Sequence, residues 1–134
     1  MGKSSTVLFL ASLERCSHDA DFLARFYRRF MDSSDDVRHA FRNADLAVQT
    51  RMLRRSLELA AAAARGKREG LDEMLMRART HDRKHLDIAP ALYVLWLETL
   101  VTTAAEHDPD WDDEVEGAWR TILGFMADFM SMRH

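Results

Sequence analysis

The sequence predicts an all-α domain, and three observations carry that prediction. Only 5 Gly and 2 Pro occur in 134 residues, and β-branched residues are sparse beside Ala, Leu, Met, Arg and Glu, which is helix-forming composition. In every long stretch the apolar residues recur three or four positions apart rather than in strict alternation. The breaks between these stretches are short and polar, and they fall at helix-length intervals. A hydrophobic fraction of 47% is enough for a real core. The length bounds the chain to one domain, residues 1–134.

A first helix runs from about Ser5 to Cys16, with Thr6, Phe9, Leu10 and Leu13 on one stripe. Ser17-His18-Asp19 interrupts it and caps a second helix from about Asp19 to Asp32. There Phe22, Leu23, Phe26, Tyr27, Phe30 and Met31 share one broad, aromatic-rich face that must turn inward. Ser33-Ser34-Asp35-Asp36 is a turn and N-cap cluster that launches a short helix from Val37 to about Phe41. A long helix from about Asp45 to Ala64 follows, with Gly66 just beyond its end as a stop. Its inward stripe reads Leu46, Gln49, Met52, Leu53, Ser56, Leu57, Ala60, Ala61 and Ala64, so Gln49 and Ser56 are its polar interruptions.

Lys67-Arg68-Glu69-Gly70 is a solvated linker, and a helix from about Leu71 to Lys84 places Leu71, Met74, Leu75, Ala78 and His81 on one face. Pro90 suits the first turn of the next helix, which reaches about Glu106 through Leu92, Tyr93, Trp96, Leu97, Leu100, Val101 and Ala104. His107-Asp108-Pro109-Asp110 reads as a break. The acidic residues after it favour a helix N-terminus through the dipole. The last helix has the cleanest period: Val115, Ala118, Trp119, Ile122, Leu123, Met126, Phe129 and Met130. Periodicity alone does not choose between a bundle and an array of crossing helices.

The composition also excludes function classes. A net charge of −3 leaves no electrostatic footprint for nucleic acid. Cys16 is the only cysteine, so no internal disulfide forms and a reducing, cytoplasmic setting is expected. The apolar run Val7 to Ala11 is too short to span a bilayer and lacks a cleavage pattern, so no membrane association is expected.

The chain's chemistry concentrates around Arg79-Thr80-His81-Asp82-Arg83-Lys84-His85. His81 and His85 stand four apart and project to the same side of a helix. Three readings compete: ordinary surface or core histidines, a zinc or di-metal site, and axial ligation of a haem iron by one neutral imidazole. Zinc needs further inward Cys, His, Asp or Glu ligands, and the stripes above offer none. Haem needs one inward histidine and a large apolar pocket. On the facing helices Tyr27 and Gln49 are hydrogen-bonding groups on largely apolar stripes, able to satisfy each other and a bound diatomic gas. Taken singly, each is also consistent with amphipathic core or a stripe edge.

The order Phe26-Tyr27, Val37-Arg38-x-x-Phe41, Gln49-x-x-x-Leu53 and His81 resembles the bacterial single-domain globins of the haemoglobin-like family, over about Leu8 to Met130. The resemblance implies a globin-like fold of seven to eight helices around a haem pocket holding haem b, iron protoporphyrin IX. It assigns His81 as the proximal iron ligand, Phe41 as the aromatic wedged against the haem face, and Leu53 as the aliphatic above the iron. Tyr27 and Gln49 become the distal hydrogen-bonding pair, His85 a propionate contact, and Leu86 and Ile88 the lining of the haem edge. Arg77 departs from the pattern, standing where the family usually has a leucine beneath the porphyrin.

By that resemblance the protein reversibly binds O2, NO or CO at a ferrous iron, as a monomer or homodimer. NO dioxygenation would need an external reductase, because the sequence shows no flavin or nicotinamide domain. The alternative is a haem-free helical domain that regulates or scaffolds through protein contacts.

Overall fold

The first helix is set by its cap. Ser4 lies in extended backbone and its hydroxyl accepts a hydrogen bond from the Val7 N–H at 3.2 Å, satisfying one of the donors that a helix start leaves open. The computed structural model describes residues 4–64 and 90–131. In that range six helices are present and no strand: α1 Ser5–Cys16, α2 Phe22–Ser33, α3 Asp35–Ala40, α4 Leu46–Ala64, α5 Pro90–His107 and α6 Asp113–Ser131. None of the described helices is long and apolar enough to cross a membrane. The helix expected over Leu71 to Lys84 lies outside the described residues.

Boundaries follow local chemistry. α2 begins at Phe22 rather than near Asp19, because Asp19 closes its own turn, accepting the Asp21 N–H on its carboxylate and the Phe22 N–H on its carbonyl. α3 starts two residues before Val37, because the Ser34 hydroxyl caps it through the Asp36 N–H at 3.1 Å. Phe41 ends α3, its N–H bonded to the Val37 carbonyl. Asp45 stands just before α4 and accepts the Ala47 and Val48 N–H groups on one carboxylate oxygen, at 2.9 and 3.3 Å.

α6 packs against α1, α4 and α5, while α2 packs against α3, α4 and α5, and α1 also touches α4 and α5. The apolar stripes predicted for α1, α2 and, as far as Met126, α6 are buried apart from the half-buried Leu10 and Met31. α4 differs in its two halves. Leu46 is 41% exposed at its first turn, whereas Ser56, Leu57, Leu59, Ala60, Ala61 and Ala63 are all buried. That buried set covers more than one stripe because α4 runs against three helices. Small alanines let those backbones approach closely.

Two aromatic groups fill the core. Trp119 is fully buried and meets Phe9 edge-on at 4.7 Å, with Trp111 and Phe22 at 6.1 and 6.3 Å. Phe26, Tyr27, Phe30 and Phe41 form the second group: Phe26 stacks on Phe30 at 5.4 Å, and Phe41 meets Phe30 at 5.9 Å and Tyr27 at 6.2 Å. Such edge and offset contacts add about 0.5–1.5 kcal/mol per pair to simple burial.

A buried polar network ties the α5–α6 corner to α1. The Asp108 side chain is fully buried and accepts from the Ser12 hydroxyl at 2.5 Å, Arg15 Nε at 2.6 Å, Arg15 Nη2 at 2.9 Å and the Asp110 N–H at 2.9 Å. Ser12 in turn accepts from Trp119 Nε1 at 2.8 Å. Burial alone would raise the Asp108 carboxyl, but the bonds from Arg15, Ser12 and Asp110 outweigh it and hold the group below the usual carboxylate range. What the sequence shows as a break is therefore a buried anchor. On the surface, Arg29 pairs with Glu106 between α2 and α5, and Arg120 with Glu98 between α6 and α5. Exposed pairs of this kind contribute about 0–1 kcal/mol each.

Candidate functional site

The site grows from the inner face of α2. Tyr27 follows Phe26 and precedes Phe30 by three positions, so a helix facing inward with its phenylalanines carries the tyrosine in with them. Tyr27 is 5% exposed, flanked by the rings of Phe26 at 5.0 Å and Phe41 at 6.2 Å. Its hydroxyl donates to the main-chain carbonyl of Gln49 at 3.1 Å. Burial pushes the phenol well above its ordinary pKa, so it stays a neutral O–H donor throughout the physiological range.

Phe41 owes its position to the end of α3, where the chain turns after the Val37–Phe41 main-chain bond and drives the ring into the core. Gln49 and Leu53 are one turn apart on α4 and share a face. Leu53 is buried, and Gln49 is half-buried. The structure thus brings Tyr27, Phe41 and the Gln49 backbone together, with Leu53 one turn further along the same helix. His81, His85, Leu86 and Ile88 lie outside the described residues, as does Arg77.

One detail differs from the pairing expected between two side chains. Tyr27 is satisfied by the carbonyl of residue 49 rather than by its amide. Among the described residues the Gln49 amide makes no hydrogen bond. No spacing or residue type signals a main-chain acceptor, so nothing in the sequence pointed to it.

The chemistry of this wall is narrow. It offers one neutral donor on an aromatic and aliphatic surface, and no group of three or more His, Cys, Asp or Glu that could hold a metal ion exists among the described residues. Such a wall fits a flat, largely apolar group with a small polar ligand on one side, which is the fit haem requires of its distal half. It does not fit a bare divalent cation, which needs several ionised or imidazole ligands.

No family model matches the chain, and no curated protein matches it. Among solved structures it is similar to a Pseudomonas aeruginosa protein described as structurally highly homologous to a human haemoglobin. The two share 32% sequence identity, and the match covers 97% of this chain and 98% of that one with a TM-score of 0.89.

Proposed function

The chain belongs to the bacterial haemoglobin-like globin family, and on that premise we propose that it binds haem b and, through it, O2, NO or CO. The observation that carries the proposal is the buried Tyr27 hydroxyl, set beside Phe41 on an otherwise apolar surface, an arrangement that suits a distal donor.

Haem supplies a ferrous iron with an open position for a diatomic gas. The chain supplies the rest. By the family resemblance His81 would hold the iron through a neutral imidazole, His85 would reach a propionate, and Leu86 and Ile88 would line the porphyrin edge. Phe41 would pack against the porphyrin face. Leu53 would close the distal side and keep water out, which would strengthen any hydrogen bond made there. Tyr27 would donate to the bound gas in place of the Gln49 carbonyl, with the Gln49 side chain beside it. The same residues would serve NO dioxygenation if an external reductase supplied the electrons.

The visible spectrum of the purified protein, reduced and then exposed to CO, tests the proposal. A Soret band that shifts as a five-coordinate, histidine-ligated haem does is the expected result. No Soret band, even after haemin is added, overturns it and leaves a haem-free globin-shaped regulator.

A further inference from the structure

We propose that the main-chain carbonyl of Gln49, and not its side-chain amide, positions the Tyr27 hydroxyl. The inference rests on the distal assignment made above, although the bond itself is independent of any bound group. A phenol has one proton to donate, and Tyr27 gives it to the Gln49 carbonyl at 3.1 Å. A carbonyl oxygen has two lone pairs. The helix pattern of α4 uses one for the N–H four residues on, and the second remains for Tyr27.

The acceptor is well placed to set the donor's geometry. Asp45 caps α4 through the Ala47 and Val48 N–H groups, and its carbonyl accepts the Gln49 N–H at 2.9 Å. The carbonyl at residue 49 therefore belongs to a capped first turn, while the ring of Tyr27 is held between Phe26 and Phe41. Gln49 is half-buried and its amide has no hydrogen bond among the described residues, so no described group holds it as a template for the phenol. It follows that a gas bound beside Tyr27 competes with a backbone acceptor for a single proton. The tyrosine's contribution is then the difference between two hydrogen bonds, and the residue type at position 49 is nearly irrelevant to it.

The test labels the two tyrosines, Tyr27 and Tyr93, with 13C at Cζ, whose NMR shift reports what the hydroxyl donates to. Spectra are taken of the purified wild type and of Gln49→Ala in the ferrous, CO-saturated state, with Tyr27→Phe to assign the signals. The expected result is an unmoved Tyr27 signal in Gln49→Ala. Oxygen dissociation should quicken less than about twofold in Gln49→Ala, and by more than that but less than about tenfold in Tyr27→Phe, because the proton given to the gas is one withdrawn from the Gln49 carbonyl. A Tyr27 signal that moves toward that of a solvated phenol in Gln49→Ala, or a rate change there as large as in Tyr27→Phe, overturns the inference. A preparation that takes up no haem overturns the function proposed above, and the Tyr27 signal of that same preparation still decides this point.

Discussion

Removing the Asp108 carboxylate is the perturbation with the most to say about how α1 is held to the α5–α6 corner. The carboxylate accepts four hydrogen bonds, two of them from Arg15. In Asp108→Ala the costs separate by exposure. The Arg15 side chain is 28% exposed and Asp110 lies 3.7 Å away, so the guanidinium turns to water and to a second carboxylate. The Asp110 N–H belongs to an exposed residue and is solvated again. Ser12 is fully buried, so its hydroxyl loses its acceptor with no water to replace it, at about 1–3 kcal/mol. Losing the charge-assisted bonds from Arg15 adds about 1.5 kcal/mol. The sum, about 3 kcal/mol, is at the lower edge of what breaking a buried ion pair costs, because one partner reaches solvent. For a domain of this size that lowers the melting temperature by roughly 10 °C.

Urea denaturation followed by far-ultraviolet circular dichroism measures the loss. Asp108→Ala within about 1 kcal/mol of wild type would refute the reasoning, because that is the range of an exposed pair. The pH dependence gives a second reading. The folded carboxyl sits below its ordinary value of about 3.9, so near pH 4 the unfolded chain binds more protons than the native one. The stability this group contributes is complete above the unfolded value and is lost as pH falls toward the folded one. Wild type should therefore lose more stability between pH 5 and 3 than Asp108→Asn does.

Other outcomes are equally specific. Tyr27→Phe should cost about 0.5–1.5 kcal/mol in urea denaturation, the net worth of one hydrogen bond, since the Gln49 carbonyl keeps its helical partner. Phe30→Ala empties the centre of the second aromatic group and should cost about 3–5 kcal/mol by the same measurement. His81→Ala should abolish haem retention on a desalting column; haem that stays bound would mean that another residue is the ligand. Burial pushes the Cys16 thiol up to about 12, so iodoacetamide should label it at neutral pH only in denaturant, as mass spectrometry would register.

The described helices were readable from the sequence because each long one carries an apolar stripe between polar breaks, and α1, α2 and, as far as Met126, α6 bury the faces their spacing marks. Their ends were less readable. Asp19 looks like the cap of α2, yet it spends its carboxylate on a turn before the helix starts. Leu46 looks like the first core residue of α4, but it stands at the first turn and stays exposed. Asp108 could not be read as an anchor at all. Its partner Ser12 lies 96 residues away, and an Asp-Pro pair between two helices reads as a break whatever it touches.

The wall around Tyr27 divides along the same line, between what side chains announce and what only the backbone supplies. Tyr27 was legible because aromatic residues at helical spacing must go inward, and a phenol that goes inward must find an acceptor, whereas Phe41 was marked only by the family resemblance. The sequence names Gln49 as that acceptor only through its amide. The structure answers with the carbonyl, a group that every residue possesses and no letter marks. The two positions should consequently respond to substitution in opposite ways. Position 27 has no replacement for its hydroxyl, whereas position 49 retains its acceptor through any side chain that leaves the first turn of α4 helical. That asymmetry places the burden of orienting the donor on the Asp45 cap and the packing of α4 against α2, where a sequence reading confined to side chains would not look for it.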